Sequence, residues 1–207
     1  MSNRDLEIIE RRVCYQGFYR LESLRLSHRL FGGGMSPPIV REVIEKSDVA
    51  AVLLYDPARD EVVMIEQFRV GARSDPRGPW LIEVVAGLIE TGETPEDVAR
   101  REAIEEAGCT VSELLPISTF YTSPAKTSQR IHLFLGRTDS AGAGGIHGLA
   151  EEGEDIRVLC LPAEEALALV EQGRADSAWP LIALLWFAGH RERTRQLWLG
   201  TAASPAG

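Results

Sequence analysis

The chain has 207 residues, 44% hydrophobic and 26% charged, so it can bury a core without disulfide staples and is not disordered over its bulk. Its 22 Lys and Arg against 31 Asp and Glu leave a net charge of −9, which argues against sequence-independent nucleic-acid binding and against attraction to acidic membranes. The three cysteines, Cys14, Cys109 and Cys160, form neither a metal-ligand pair nor a disulfide framework and read as small buried hydrophobes in a reducing compartment.

Met1 to Arg12 mixes acids and bases around Leu6, Ile8 and Ile9, unlike a signal peptide, and the longest apolar run, Leu181 to Ala188, is too short for a bilayer. A cytoplasmic protein is expected. Residues 12–35 predict two or three short strands, ending at Gly32-Gly33-Gly34. Val49 to Tyr55 and Val62 to Phe68 predict a hairpin across the turn Asp56 to Asp60, and Trp80 to Ala86 a further strand. After the loop Gly87 to Glu93, Thr94 caps a helix with Pro95 at its first position and Asp97 in the capping box; Gly108 stops it after Ala107. Leu114 to Thr122 and Ile131 to Arg137 read as strands, residues 138–155 as a long glycine-rich acidic loop, and Ile156 to Leu161 as a strand. Helices open at Pro162, ending near Gly173, and at Pro180, reaching about Arg193; Trp179, Trp186 and Trp198 read as core residues. This order is no regular βαβ alternation. It predicts an α/β protein with a mixed sheet packed between helices.

The chemistry concentrates in the first helix. At about 100° per residue, Glu102, Glu105 and Glu106 share one arc, with Ala103, Ile104 and Ala107 opposite. Either this is a solvated acidic face, or a cluster whose mutual repulsion a divalent cation relieves. Hard oxygen ligands on one helix face suit Mg²⁺ or Mn²⁺.

Gly87, Glu93 and the run Arg101-Glu102-Ala103-Ile104-Glu105-Glu106-Ala107-Gly108 together resemble the Nudix box, with Ala103 and Cys109 where larger aliphatics are usual. The resemblance implies an α/β/α sandwich with a mixed sheet and an N-terminal β-strand arm, and cleavage of a nucleoside diphosphate linked to another group. It implies two or three Mg²⁺ ions, with Mn²⁺ as the alternative, held by Glu102, Glu106, Glu105 and the Ala86 carbonyl. Arg101 would orient the glutamates and Glu93 would support it.

Outside the box the chain is similar to the bacterial ADP-ribose pyrophosphatase subgroup. Ile65 to Arg69, Trp80 to Gly87, Pro124 and the loop Gly145 to Asp155 carry that likeness. It implies hydrolysis of ADP-ribose to AMP and ribose 5-phosphate, with Glu152 activating water, Glu154 as a further metal ligand and Arg69 on the phosphates. His147 reads as structural. The resemblance also implies a homodimer in which Phe18 stacks on adenine and Arg41 pairs with a phosphate across the two subunits; read by itself, Phe18 is equally a strand-core aromatic. The implied boundaries are 1–48 for an arm swapped onto the dimer partner, 49–200 for the hydrolase domain and 201–207 for a disordered tail. Ala125, Lys126 and Gln129 depart from the subgroup, which keeps open a hydrolase preferring GDP-mannose or ADP-glucose. A non-catalytic ADP-ribose-binding module is the remaining alternative, against which the complete set of box glutamates argues.

Overall fold

The computed structural model describes residues 5–149, 151 and 153–200. The chain divides into two compact units, one running up to Asp48 and including Tyr121–Arg130, the other made of Val49–Phe120 and the chain from Ile131 onward.

The first unit holds three antiparallel strands in the order β1 (Leu6–Gln16), β2 (Arg20–His28), β3 (Ile39–Glu45). The first strand begins well before residue 12 because Leu6 and Ile8 pair with His28 and Leu26 despite the mixed charges between them. Strand β3 is not evident from the sequence, because Arg41, Glu42 and Glu45 interrupt its apolar alternation. Every residue of β1 is exposed, Cys14 included, so the expectation of three buried cysteines fails there; Cys109 is buried and Cys160 half-buried.

The second unit is built on β4 (Val49–Asp56), whose eight residues are all buried. Val49, Ala51, Leu53 and Tyr55 face one core and Ala50, Val52 and Leu54 the other. The sheet order is β10 (Ile146–His147), β11 (Ile156–Pro162), β5 (Glu61–Phe68), β4, β9 (Arg130–Arg137), β8 (Glu113–Tyr121), with β4 and β9 parallel. Helix α1 (Pro95–Ala107) covers the face of Ala50 and Val52; α2 (Ala163–Glu171) and α3 (Ala178–Trp198) cover the other. This is the expected mixed sheet between helices. Helix α3 outruns Arg193 because Trp198 buries beside Tyr55, their rings 6.2 Å apart; Trp179 and Trp186 pack against the same core.

One difference from expectation positions the site. Trp80 to Ala86 is not one strand but two, β6 (Trp80–Glu83) and β7 (Val85–Leu88). Strands β4 and β5 pair only at Leu54–Asp56 and then fork. Beyond the fork β6 pairs with β5 and β7 with β4, so the chain changes partner at Val84. The loop 138–155 is not wholly irregular either, since β10 lies inside it and pairs with β11.

Candidate active site

Helix α1 is fixed at both ends by its own sequence. The Thr94 hydroxyl accepts the Asp97 N–H at 3.2 Å, the Asp97 carboxylate accepts the Thr94 N–H, and Pro95 occupies the first turn. Gly108, at φ 64°, closes the other end with its N–H on the carbonyls of Ala103 and Ile104.

The helix buries Val98, Ala99, Ala103 and Ala107, small side chains that let it lie close to the sheet. Ile104 is exposed, contrary to the helical-wheel expectation, and Glu106 is only 2% exposed. The acidic arc is therefore not a solvated face. One oxygen of Glu106 accepts the Ala86 N–H at 3.0 Å. Burial drives its pKa well above the usual carboxylate value; Glu102 and Glu154 push the same way, while the Ala86 N–H and Arg69 oppose. Glu102 lies flat against Gly87, where a Cβ would overlap its carboxylate. Its pKa is raised by burial and by Glu105 and Glu154, against the pull of Arg101.

Arg101 is the local counter-charge. Its Nε donates to Glu93 at 3.1 Å, and its Nη1 to Glu102 at 2.8 Å and Glu105 at 2.9 Å. Glu93 also accepts the Glu90 N–H at 3.0 Å, which ties the preceding loop to the helix.

The segment before β11 is brought to this helix by backbone bonds. Gly148 donates to the Glu105 carbonyl at 3.3 Å, and Leu149 donates to the Glu154 carboxylate at 3.1 Å. Gly148, at φ 96°, leaves only room for the Glu154 side chain, which a Cβ would meet at 2.7 Å. Glu154 thus joins Glu102 and Glu106 electrostatically. His147 binds the Gly144 carbonyl through Nε2 at 2.9 Å, in keeping with its structural reading. Glu152, the expected water-activating base, lies outside the described residues.

Arg69 follows β5, and its Nε donates to the buried Glu83 carboxylate at 2.8 Å. The sequence offered no sign of this partner, an acid inside an apolar strand run. Phe18, Arg41 and Pro124 belong to the other unit. Phe18 is 69% exposed, not a core aromatic, and Lys46 Nζ stands 3.4 Å over its ring. Arg41 lies exposed on β3 with Nη1 on the Val40 carbonyl at 2.8 Å, and Pro124 sits in a turn where Lys126 N–H reaches the Ser123 carbonyl at 2.9 Å. A groove of about 650 Å³ opens between Trp80, Ile82, Arg157 and Arg174, and none of the α1 glutamates lines it.

Among the described residues no three acids, histidines or cysteines stand as a ready-made ion cage. Arg101 occupies oxygens of Glu102 and Glu105 that an ion would need. Even so, the donors fit a hard divalent cation: they are all oxygens, and the Glu102 and Glu106 carboxyls are disfavoured as anions by burial and by neighbouring carboxylates. Arg101 alone does not meet that charge.

The sequence model of the NUDIX domain matches residues 45–185. The chain is 48% identical over 197 residues to the ADP-ribose pyrophosphatase of Escherichia coli (strain K12), covering 95% of this chain and 94% of that protein. It is 43% identical over 200 residues to the ADP-ribose pyrophosphatase of Haemophilus influenzae, covering 95% and 92%. The GDP-mannose pyrophosphatase of Cronobacter sakazakii is 43% identical over 146 residues, covering 70% of this chain and 75% of that protein.

Proposed function

The chain belongs to the NUDIX-domain family, and from that premise we propose that it hydrolyses the pyrophosphate bond of ADP-ribose to AMP and ribose 5-phosphate. The observation that carries the reading is the acid cluster on α1: Glu106, 2% exposed and bonded to the Ala86 N–H, and the half-buried Glu102 lying across Gly87, both with pKa values raised by burial and by neighbouring carboxylates that include Glu154. Glu102 and Glu106, with Glu105, Glu154 and the Ala86 carbonyl, would hold two or three Mg²⁺ ions, Mn²⁺ being the alternative. Bound there, the metal supplies neutralisation of the pyrophosphate charge. Arg101, braced by Glu93, sets the spacing of Glu102 and Glu105. Arg69 receives phosphate oxygens, and Glu152 takes the proton of the attacking water.

Phe18 stacks on the adenine and Arg41 pairs with a phosphate, both supplied by a second copy of the chain in a homodimer, with residues 1–48 as the exchanged arm. Pro124 shapes the terminal-ribose end. The net charge of −9 makes binding depend on metal and on these arginines, and nucleic acid and membrane are not partners. No helix among the described residues is long and apolar enough to cross a membrane, and the protein is assigned to the cytoplasm.

The ADP-ribose pyrophosphatases are 43–48% identical over 95% of the chain, whereas the GDP-mannose pyrophosphatases are either similar over 70% of it or, at 88%, only 31% identical, which supports the ADP-ribose reading. The test is steady-state hydrolysis of ADP-ribose, GDP-mannose and ADP-glucose with Mg²⁺, products separated by chromatography. AMP and ribose 5-phosphate in preference to the other cleavages is the expected result. Cleavage of GDP-mannose alone would transfer the reading to that substrate, and ADP-ribose binding without cleavage would leave a sensor. In Glu152→Gln, turnover should fall by about 10²-fold or more while substrate still binds.

A further inference from the structure

We infer that Glu83 is a positioning residue for Arg69 and that Ser177 is its support from α3; the inference rests on the reading of Arg69 as a phosphate ligand. Glu83 ends β6 at the fork, and its side chain is 6% exposed. One carboxylate oxygen accepts Arg69 Nε at 2.8 Å and Gln67 Nε2 at 3.3 Å; the other accepts Ser177 Oγ at 3.2 Å. Because Glu83 engages Nε, the two Nη groups of the half-exposed Arg69 remain available, and among the described residues neither donates a hydrogen bond. Those two groups are a planar pair matched to two phosphate oxygens. A guanidinium held at Nε loses less freedom on binding than one that must first be ordered.

Ser177 holds Glu83 from the side of α3. It is the N-cap residue of α3, a position where serine ordinarily accepts a backbone N–H of the first turn. Here its side chain makes no capping bond, and the hydroxyl donates to Glu83 instead. The third helical residue is Pro180, which has no N–H to offer such a cap, so the Ser177 hydroxyl is left available to Glu83. The chain from Arg69 through Glu83 to Ser177 joins the end of β5 to the start of α3.

The test is a double-mutant cycle on ADP-ribose hydrolysis at saturating Mg²⁺. Arg69→Ala should raise KM by about tenfold or more, the loss of a charge-assisted phosphate contact. Glu83→Gln should raise KM about fivefold and leave kcat within about twofold, the signature of weakened uniform binding. In the Arg69→Ala background Glu83→Gln should add nothing to KM. Ser177→Ala removes no cap; it should raise KM about twofold with an unchanged melting temperature, and that effect too should vanish in the Arg69→Ala background. An equal KM effect of Glu83→Gln with and without Arg69, or none in either, overturns the inference. If Glu83→Gln does not fold, the Ser177 and Arg69 cycle decides by the same criterion. An unchanged KM in Arg69→Ala itself would instead overturn the phosphate reading, and the inference with it.

Discussion

The carboxylate of Glu102 rests across the α-carbon of Gly87, so one missing methyl group sets where that acid points. Gly87 lies in β7 without a positive φ, and an alanine there would be tolerated by the backbone. Gly87→Ala should therefore leave the fold intact while displacing Glu102, lowering the apparent Mg²⁺ affinity about 10- to 100-fold. Mg²⁺ titration of activity, with thermal unfolding as the control, measures this, and an unaltered Mg²⁺ response would remove Glu102 from the ligand set. Residues of this kind were legible in the sequence because their spacing is local: Gly87, Glu93 and the glutamates of α1 lie within a single loop and helix. What the helical wheel misplaced was burial. It set Ile104 among the apolar residues and Glu106 on the acidic face, whereas the helix rolls its alanines and Glu106 toward the sheet and leaves Ile104 outside. Glu83 left no such signal, since Gln67 and Ser177 stand 16 and 94 positions away and only the fold brings them together.

At the level of elements, local chemistry fixed what the sequence could reveal. The capping box and Gly108 gave α1 its bounds, and the turn after β4 announced the hairpin. The division at Val84 could not be read, because it arises from two strands diverging and not from any break in the apolar pattern. The hairpin turn carries a second consequence. Burial by itself would raise the Asp56 pKa, but the backbone N–H groups of Ser140 and Arg59 and the Arg59 guanidinium outweigh it and hold the carboxyl well below its usual range. A depressed pKa in the folded state contributes stability above the unfolded value, lost as pH falls through the folded one. Native protein should thus exceed Asp56→Asn by about 2–3 kcal/mol near neutral pH, the cost of weakening a buried acceptor of several donors. The gap should narrow as pH drops below about 4. Melting curves of both proteins across pH read this directly; a gap that stays constant into strong acid would show that the ionised form of Asp56 is not what the turn uses.

Over the whole molecule the two units differ in what they bury. Every buried hydrophobic side chain among the described residues lies at Val49 or beyond and outside Tyr121–Arg130, which places the apolar core entirely in the second unit. The first unit buries Glu22, Ser27 and Ser36 instead, with Glu22 fully buried against Arg11 at 3.3 Å and Arg20 at 2.5 Å. A three-stranded sheet without an apolar core is marginal in water unless something covers it. Strand β1 is moreover an edge strand, exposing Leu6, Ile8, Ile9, Val13 and Tyr15 along its length. The proposed homodimer supplies that cover. Light scattering coupled to size exclusion should give twice the chain mass, and Ile8→Lys with Val13→Lys should shift the protein toward monomer. The same pair should raise KM for ADP-ribose while the second unit keeps its melting transition, because its core contains none of the altered residues. A monomeric native protein of undiminished activity would leave Phe18 and Arg41 without the second copy they are proposed to serve, and the adenine contact would have to be sought within the second unit alone.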